Sequence, residues 1–257
     1  MLNDLVIQCN YLLNTYPGAF DSIEYLKSRI NTNTIETFKF GYFPSINELS
    51  VLTTIYSEEN LIKSNFISKR IYENSSSKRE IIYSYFENYP IIIPFRDVYG
   101  DVVGLVGRTL LSSDEIKEKQ ISKYKNSSEK HNINFKKGNH LFGLFENKQS
   151  IIDQNCVFVV EGQFDVIKAY ESGFKNVVAL SNSNMTQHQL SMIMRYTDNI
   201  FLLLDNDQAG EKGRKRIVDL YKKYANIKNF YIPMEYKDID EYLSHNKYED
   251  LSLIIKD

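Results

Sequence analysis

The run Asn199-Ile200-Phe201-Leu202-Leu203-Leu204-Asp205-Asn206-Asp207-Gln208-Ala209-Gly210 constrains this chain more than any other stretch. The unbroken apolar stretch Ile200 to Leu204 reads as a strand buried on both faces, the habit of a parallel sheet covered by helices. The run stops abruptly at acids, so Asp205 and Asp207 emerge at the C-terminal edge of that sheet, where open α/β folds bind their ligands. Two other stretches repeat the pattern. Val157-Phe158-Val159-Val160 ends in Glu161-Gly162-Gln163-Phe164-Asp165, and Phe230-Tyr231-Ile232 leads into Lys237-Asp238-Ile239-Asp240-Glu241.

The spacing after residue 150 predicts strands at about 156 to 160, 177 to 180, 200 to 204 and 229 to 232. Helices at about 164 to 173, 187 to 196 and 208 to 224 separate them, giving a βαβ alternation. Thr186 with Gln189 forms a capping-box start for the second of these helices, and Met192, Ile193 and Tyr196 read as core. Acids gathered on one rim raise one another's pKa unless a cation neutralises them. A hard divalent ion such as Mg²⁺ is the simplest solution. Taken singly, each Asp also suits a helix cap.

Composition narrows the class. The chain has 257 residues, 42% of them hydrophobic, enough for one or two domains with a proper core. The net charge is −2, so any nucleic-acid contact must come from a local patch. Cys9 and Cys156 lie 147 positions apart and Cys156 begins an apolar strand, which argues against a disulfide framework or a zinc site. No apolar run approaches the roughly 20 residues of a membrane span, and the N-terminus does not read as a signal segment. The expectation is a cytoplasmic protein without membrane contact.

The first 90 residues read as mainly helical: Ile23, Leu26 and Ile30 recur at helical spacing, and Asn33 with Glu36 resembles a helix start. Glu58 to Tyr72 suggests a further helix, followed by the polar loop Asn74-Ser75-Ser76-Ser77. A hairpin pairs Ile91-Ile92-Ile93-Pro94-Phe95-Arg96 with Val102-Val103-Gly104-Leu105-Val106-Gly107-Arg108 across the turn at 97 to 101. Pro94 argues for an edge position or a bulge, and Gly104 and Gly107 leave room for a backbone or a ligand to approach closely. Arg108 would stand beside an open surface. From 119 to 148 the balance turns basic, with Lys119, Lys123, Lys125, Lys130, Lys136, Lys137 and Lys148 against Glu129 and Glu146. Loops there would present ammonium groups to phosphates.

Glu161-Gly162 with Asp165, Asp205-Asn206-Asp207-Gln208-Ala209-Gly210 and Lys237-Asp238-Ile239-Asp240-Glu241-Tyr242-Leu243 resemble the Toprim domain of DnaG-type primases, topoisomerases and some nucleases. The resemblance extends upstream. Tyr25-Leu26-Lys27-Ser28-Arg29, Phe40-Gly41-Tyr42-Phe43-Pro44, Pro94-Phe95-Arg96-Asp97 and Gly104-Leu105-Val106-Gly107-Arg108 are similar to ordered motifs of the RNA-polymerase core of bacterial and phage DnaG-type primases. So are Lys123-Tyr124-Lys125-Asn126-Ser127 and Phe135-Lys136-Lys137-Gly138-Asn139-His140-Leu141-Phe142-Gly143-Leu144. Topoisomerases and Toprim nucleases lack this upstream set.

The resemblance implies an α/β Toprim domain at 151 to 257, its central parallel sheet flanked by helices, preceded by a mixed α+β subdomain at 1 to 150. It implies a nucleotidyltransferase that copies single-stranded DNA into short RNA primers from ribonucleoside triphosphates. Arg29, Arg108, Lys123, Asn126 and Lys137 match positions that contact template and nucleotide. Glu161, Asp165, Asp205, Asp207, Asp238 and Asp240 match metal-binding positions, for two or more Mg²⁺ or Mn²⁺ ions, with Glu161, Asp205 and Asp207 at the chemistry. Within the sequence no Cys and His cluster matches the family's zinc module, and the chain stops about 14 residues after Leu243. Ser181-Asn182-Ser183-Asn184 stands where the family has a glycine-containing loop, which Asn could tolerate by entering left-handed backbone. The first two of these departures lead to the expectation of a zinc-bearing partner and a replicative helicase acting in trans. A Toprim nuclease with Glu161 as general acid or base, and a non-catalytic single-strand-binding subunit, are the competing readings.

Overall fold

A computed structural model describes residues 2–74, 77–127 and 135–246. The chain divides into two compact units, Met1–Phe95 with Asp101–Phe135, and Arg96–Gly100 with Lys136–Asp257. No helix among the described residues is long and apolar enough to cross a membrane.

The first unit contains helices α1 (Leu2–Thr15), α2 (Phe20–Lys27), α3 (Thr32–Thr37), α4 (Leu49–Thr53), α5 (Glu58–Lys63) and α6 (Ser113–Glu118). Its strands are β1 (Gly41–Tyr42), β2 (Ile67–Asn74), β3 (Ser77–Ser84), β4 (Ile91–Arg96), β5 (Val102–Arg108) and β6 (Tyr124–Asn126). Leu2, Leu5, Val6, Cys9, Leu12 and Leu13 recur along α1 at three- and four-residue spacing and are buried, the stripe that holds a helix on a core. Strands β1, β4, β5 and β6 lie side by side in that order, with β1 to β4 and β5 to β6 antiparallel. β1 pairs only with Ile91 and Ile92, so Pro94, which has no N–H to give, lies on the stretch of β4 past that pairing.

Three expectations for this unit are corrected. The helix foreseen from Glu58 to Tyr72 ends at Lys63, and β2 and β3 form a separate two-stranded antiparallel ribbon. Asn65 takes positive φ (59°) just after the helix, and the alternation that follows, Ile67, Lys69, Ile71 against Ser68, Arg70, Tyr72, has the period of a strand. The residues read as a loop lie at the turn of this ribbon, and Ser75 and Ser76 are outside the described residues. The cap of α3 is Asn31, whose side chain accepts from the Thr34 amide at 2.8 Å, two residues before the foreseen start. At Gly104 and Gly107 the close approach is made by side chains: a Cβ there would run into the rings of Phe135 and of Phe86 and the Cβ of Tyr89.

The second unit contains α7 (Leu144–Gln154), β7 (Val157–Val160), α8 (Gln163–Glu171), β8 (Val177–Ala179), α9 (Gln187–Ile193), β9 (Asn199–Leu202), α10 (Gln208–Tyr221), β10 (Asn226–Asn229) and α11 (Ile239–His245). Its four strands are all parallel, in the order β10-β9-β7-β8. One sheet face feeds a core of Val157, Val159, Ile200, Leu202 and their neighbours, including Met192 and Ile193 with Tyr196 packed against it. Phe158 and Phe201 meet on the other face at 5.1 Å, and Phe230 and Phe174 extend the aromatic cluster. The fourth strand is Asn226–Asn229 and not the apolar run Phe230 to Ile232. It forms the edge, where exposed polar residues suffice for pairing, while Phe230 adds one bond to the Leu202 carbonyl at 2.9 Å and then leaves the sheet. The capping box of Thr186 and Gln189 forms as expected, with bonds of 3.0 and 3.1 Å.

Candidate active site

The chain runs from β7 outward to β8, then returns to place β9 on the other side of β7, so the strand order reverses between β7 and β9. A crevice opens beyond the carboxyl ends of strands at such a reversal. Glu161 follows β7 and Asp205 follows β9, and the Asp205 amide donates to Glu161 Oε1 at 3.3 Å. The helix α10 starts tightly against this point. A Cβ on Gly210 would run into the Asp205 carbonyl and come within 3.1 Å of Glu161 Oε1, so only glycine fits.

The remaining acids are fixed by backbone amides. Asp207 caps α10, its Oδ1 accepting from Ala209 N at 2.8 Å and Gly210 N at 2.9 Å. Asp238 caps α11 through the Glu241 amide at 2.8 Å. Asp165 is buried and uses both oxygens: Oδ2 accepts from Gly162 N at 2.8 Å, and Oδ1 from Asp240 N at 3.3 Å. It ties the start of α8 to the start of α11. Asp240 enters this arrangement through its amide.

Burial first, and mutual repulsion after it, raise Glu161, Asp165 and Asp205. Burial is the largest cause for Glu161, which is pushed up to about 7, with the charges of Asp205 and Asp207 adding to it. Asp165 is raised well above the usual carboxylate range by burial and then by Asp238 and Asp205. Asp205 is raised by burial, against which the ammonium of Lys237 pulls it down from 3.0 Å. Lys237 also lies 3.8 Å from Asp238 Oδ2 and is itself raised by its bond to Asp205. A single exposed lysine thus partly offsets a set of carboxylates. The donors are all hard oxygens, the kind that suit Mg²⁺ or Mn²⁺ and not a soft metal. Among the described residues no three Asp, Glu, His or Cys side chains are gathered closely enough to hold one ion. The capping bonds explain part of that spread, since they turn Asp165, Asp207 and Asp238 toward amides.

The loop after β8 holds its shape by a different residue from the one foreseen. Ser181, not an asparagine, takes the left-handed backbone, with φ of 64°. Gln163 donates to its hydroxyl at 3.0 Å and Lys137 to its carbonyl at 3.4 Å. Lys137 therefore belongs to the second unit.

The other basic candidates lie in the first unit and are not simply solvated. Arg108, expected beside an open surface, is only 5% exposed. Its guanidinium donates to Tyr124 Oη at 3.0 Å and to Tyr25 Oη, and it lies 4.6 Å from the Tyr25 ring centre. Arg29 donates to the same Tyr25 hydroxyl at 2.9 Å. Lys123 lies 5.9 Å over the ring of Tyr124. Asn126 pairs with Val106 on β5, and its side-chain oxygen is buried with no hydrogen-bond partner. Of the other lysines, Lys125 packs 4.0 Å over Tyr85 and donates to its carbonyl at 2.8 Å, and Lys148 donates to the Val98 carbonyl at 2.8 Å. Residues 128–134, with Glu129 and Lys130, lie outside the described residues.

Four contributors escaped the sequence reading. Tyr25 joins two arginines, and its place four residues before Arg29 was the available signal. Asn206 donates to the carbonyls of Ile232, Pro233 and Tyr236, anchoring the loop that carries Lys237. Lys237 stands beside Asp238 in sequence, which marks it as the natural counter-charge. Arg214 is buried on the α10 face that also carries Gly210 and Ile217, and it donates to the carbonyl of Leu204, the residue before Asp205.

A parallel sheet with acids at its reversal point and capped helices leading from them defines a Toprim-like unit, and the comparisons agree. Residues 158–243 match the Toprim-like family. Residues 10–148 match the family described as DNA primase catalytic core, N-terminal domain. The chain belongs to the DNA primase catalytic-core family. It is 31% identical over 249 residues to the DNA primase of Aquifex aeolicus, covering 96% of this chain and 47% of that protein. The crystal structure of the Aquifex aeolicus primase zinc-binding and RNA-polymerase domains superposes with a TM-score of 0.77 at 28% identity, over 98% of this chain and 59% of that one. A DnaG primase catalytic domain bound to single-stranded DNA shares the fold, with a TM-score of 0.76 at 24% identity, over 98% and 78% of the two chains. The chain thus spans about half the length of that curated relative.

Proposed function

We propose that this chain is the catalytic core of a DNA primase, a DNA-directed RNA polymerase that builds short RNA primers on single-stranded DNA from ribonucleoside triphosphates. The observation that carries the reading is the pairing, at the reversal of a parallel sheet, of Glu161 with the amide of Asp205, in a chain whose other half matches the primase core. Glu161, Asp205 and Asp207 are the residues that would hold divalent ions, Mg²⁺ or Mn²⁺, with Asp238 beside them. Bound there, such ions would stabilise charge on the attacking 3′-oxygen and on the leaving pyrophosphate.

The chain's own groups do the rest. Asp165 and Asp240 act through position, the first by joining two helix starts. Lys237, 3.0 Å from Asp205, favours its ionised form against the burial that raises it, and its ammonium could also meet a phosphate. Arg29, Arg108, Lys123 and Asn126 would hold the template or the nucleotide, and Lys137 a phosphate. Phosphate contacts of this kind position a strand without reading its sequence. Start-site choice and template delivery would fall to a zinc-bearing protein and a replicative helicase.

The test mixes the purified chain with single-stranded DNA, labelled ribonucleotides and Mg²⁺ or Mn²⁺. New short RNA is the expected product. Shortened DNA without RNA would establish the nuclease reading instead, and binding without either product would establish a non-catalytic subunit.

A further inference from the structure

The ribbon of β2 and β3 carries a one-sided pattern that the catalytic reading does not use. Successive side chains of a strand point to opposite faces. The register sets Ser68 opposite Tyr83, Arg70 opposite Ile81 and Tyr72 opposite Arg79, so these six share one face. Arg70, Tyr72, Arg79 and Tyr83 are exposed, the two tyrosines by 49% and 42%. The Arg70 guanidinium lies 5.2 Å from the Tyr83 ring centre, and the two tyrosine hydroxyls are 3.3 Å apart. No acid stands among the described residues of that face.

The opposite face differs. There Lys69 is clasped by Glu58 and by Glu80, the latter at 2.9 Å, and Glu73 follows. Charge is therefore segregated across a ribbon two strands wide: mixed and neutralised behind, cationic and aromatic in front. An ordinary solvated face mixes signs, as the back of this ribbon does. A front of flat rings interleaved with guanidinium groups complements a polymer of stacked bases and phosphates, since every base has a face to stack and the backbone is anionic throughout. An acidic protein segment would satisfy the arginines but give the exposed rings nothing to stack on.

We infer that this face of the ribbon binds single-stranded DNA, with Tyr72 and Tyr83 stacking bases and Arg70 and Arg79 neutralising phosphates. The choice of DNA as occupant rests on the template reading above, whereas the surface itself rests on the ribbon. Its place is to hold template flanking the copied stretch.

The chain contains no tryptophan, so Tyr83→Trp creates a lone reporter on the proposed platform without removing its ring. Its emission should be quenched on adding a thymidine oligonucleotide of about 30 residues, as stacking on a base requires. Replacing both Arg70 and Arg79 by Ser should reduce the magnitude of the salt slope for that oligonucleotide by about 1.4, roughly 0.7 for each phosphate no longer neutralised. Replacing both Tyr72 and Tyr83 by Ser should weaken binding at least about fivefold while leaving far-ultraviolet circular dichroism unchanged, because the side chains are exposed. No quenching by DNA, or an unchanged slope and affinity in these variants, overturns the proposal, and quenching by an acidic peptide but not by DNA does so as well. The outcomes separate from those of the catalytic reading: quenching without primer synthesis would sink only the latter, and synthesis without quenching only the former.

Discussion

The two units solve opposite electrostatic problems. In the first, positive groups are packed against tyrosines: Arg108 between Tyr25 and Tyr124, Arg29 on the Tyr25 hydroxyl, Lys125 over Tyr85. Aromatic faces and hydroxyls attract cations, so the terminal nitrogens of the buried Arg108 meet two tyrosine hydroxyls while its Nε stays without a hydrogen bond. In the second, negative groups are packed against one another, and Glu161, Asp165 and Asp205 are all raised. Helix caps restrain them and one lysine partly neutralises them. The cations of the first unit meet rings and hydroxyls, whereas the raised carboxylates of the second meet a single lysine. On the proposed function, that contrast separates a surface for the template strand from a rim for divalent ions.

The largest expected effect lies on the acidic side. Asp205→Asn and Asp207→Asn keep the shape and remove charge, so primer synthesis should fall by about 100-fold or more. Folding should survive, since an amide oxygen at 207 still accepts from the α10 amides. Primer synthesis at the parent rate in both variants would remove these residues from the chemistry.

On the cationic side the effects should be smaller. Tyr25→Phe removes an acceptor shared by Arg29 and Arg108 while keeping the ring and both charges. Denaturant unfolding should show a loss of about 1 to 2 kcal/mol. Template affinity should drop several-fold with an unchanged salt slope, and a changed slope would mean that the arginines had left their places. Smaller again, the Lys123→Ala and Lys137→Ala changes should each lower the magnitude of the salt slope by about 0.7. An unaltered slope in the double variant would leave those two lysines out of the phosphate contacts.

Much of the acidic rim was legible because strand and carboxylate adjoin in sequence: Val160 with Glu161, and Leu204 with Asp205. Buried parallel strands announce themselves by unbroken apolar runs, and β7, β8 and β9 fall where those runs predict. The edge strand Asn226–Asn229 does not, because an exposed edge places no demand on apolar side chains. The ribbon β2–β3 was concealed by a polar composition compatible with a helix until its period of two is noticed. At the site, the partnership of Tyr25 with Arg108 spans 83 positions and leaves no local trace. The roles of Gly104 and Gly107 were legible as close approach but not as to what approaches, since Phe86 and Phe135 come from outside the strand.

The central claim, that Glu161, Asp165 and Asp205 are raised by burial and then by one another's charge in a way that a divalent cation would relieve, is tested by unfolding free energy against pH. Carboxylates raised in the folded state bind protons that the unfolded chain releases. Their contribution is therefore full below the unfolded value near 4 and is lost as pH rises through the folded value of Glu161, about 7. Metal-free protein should lose on the order of 1 kcal/mol between pH 5 and pH 8: a tenfold change in a carboxylate's proton affinity is worth about 1.4 kcal/mol, and water reaching the half-buried Glu161 screens much of its shift. Mg²⁺ or Mn²⁺ at pH 8 should restore a comparable amount. Asp205→Asn should be more stable than the parent at pH 8 without metal and gain little from it. A parent stability that rises from pH 5 to pH 8, or an equal response to metal in parent and variant, would contradict the account.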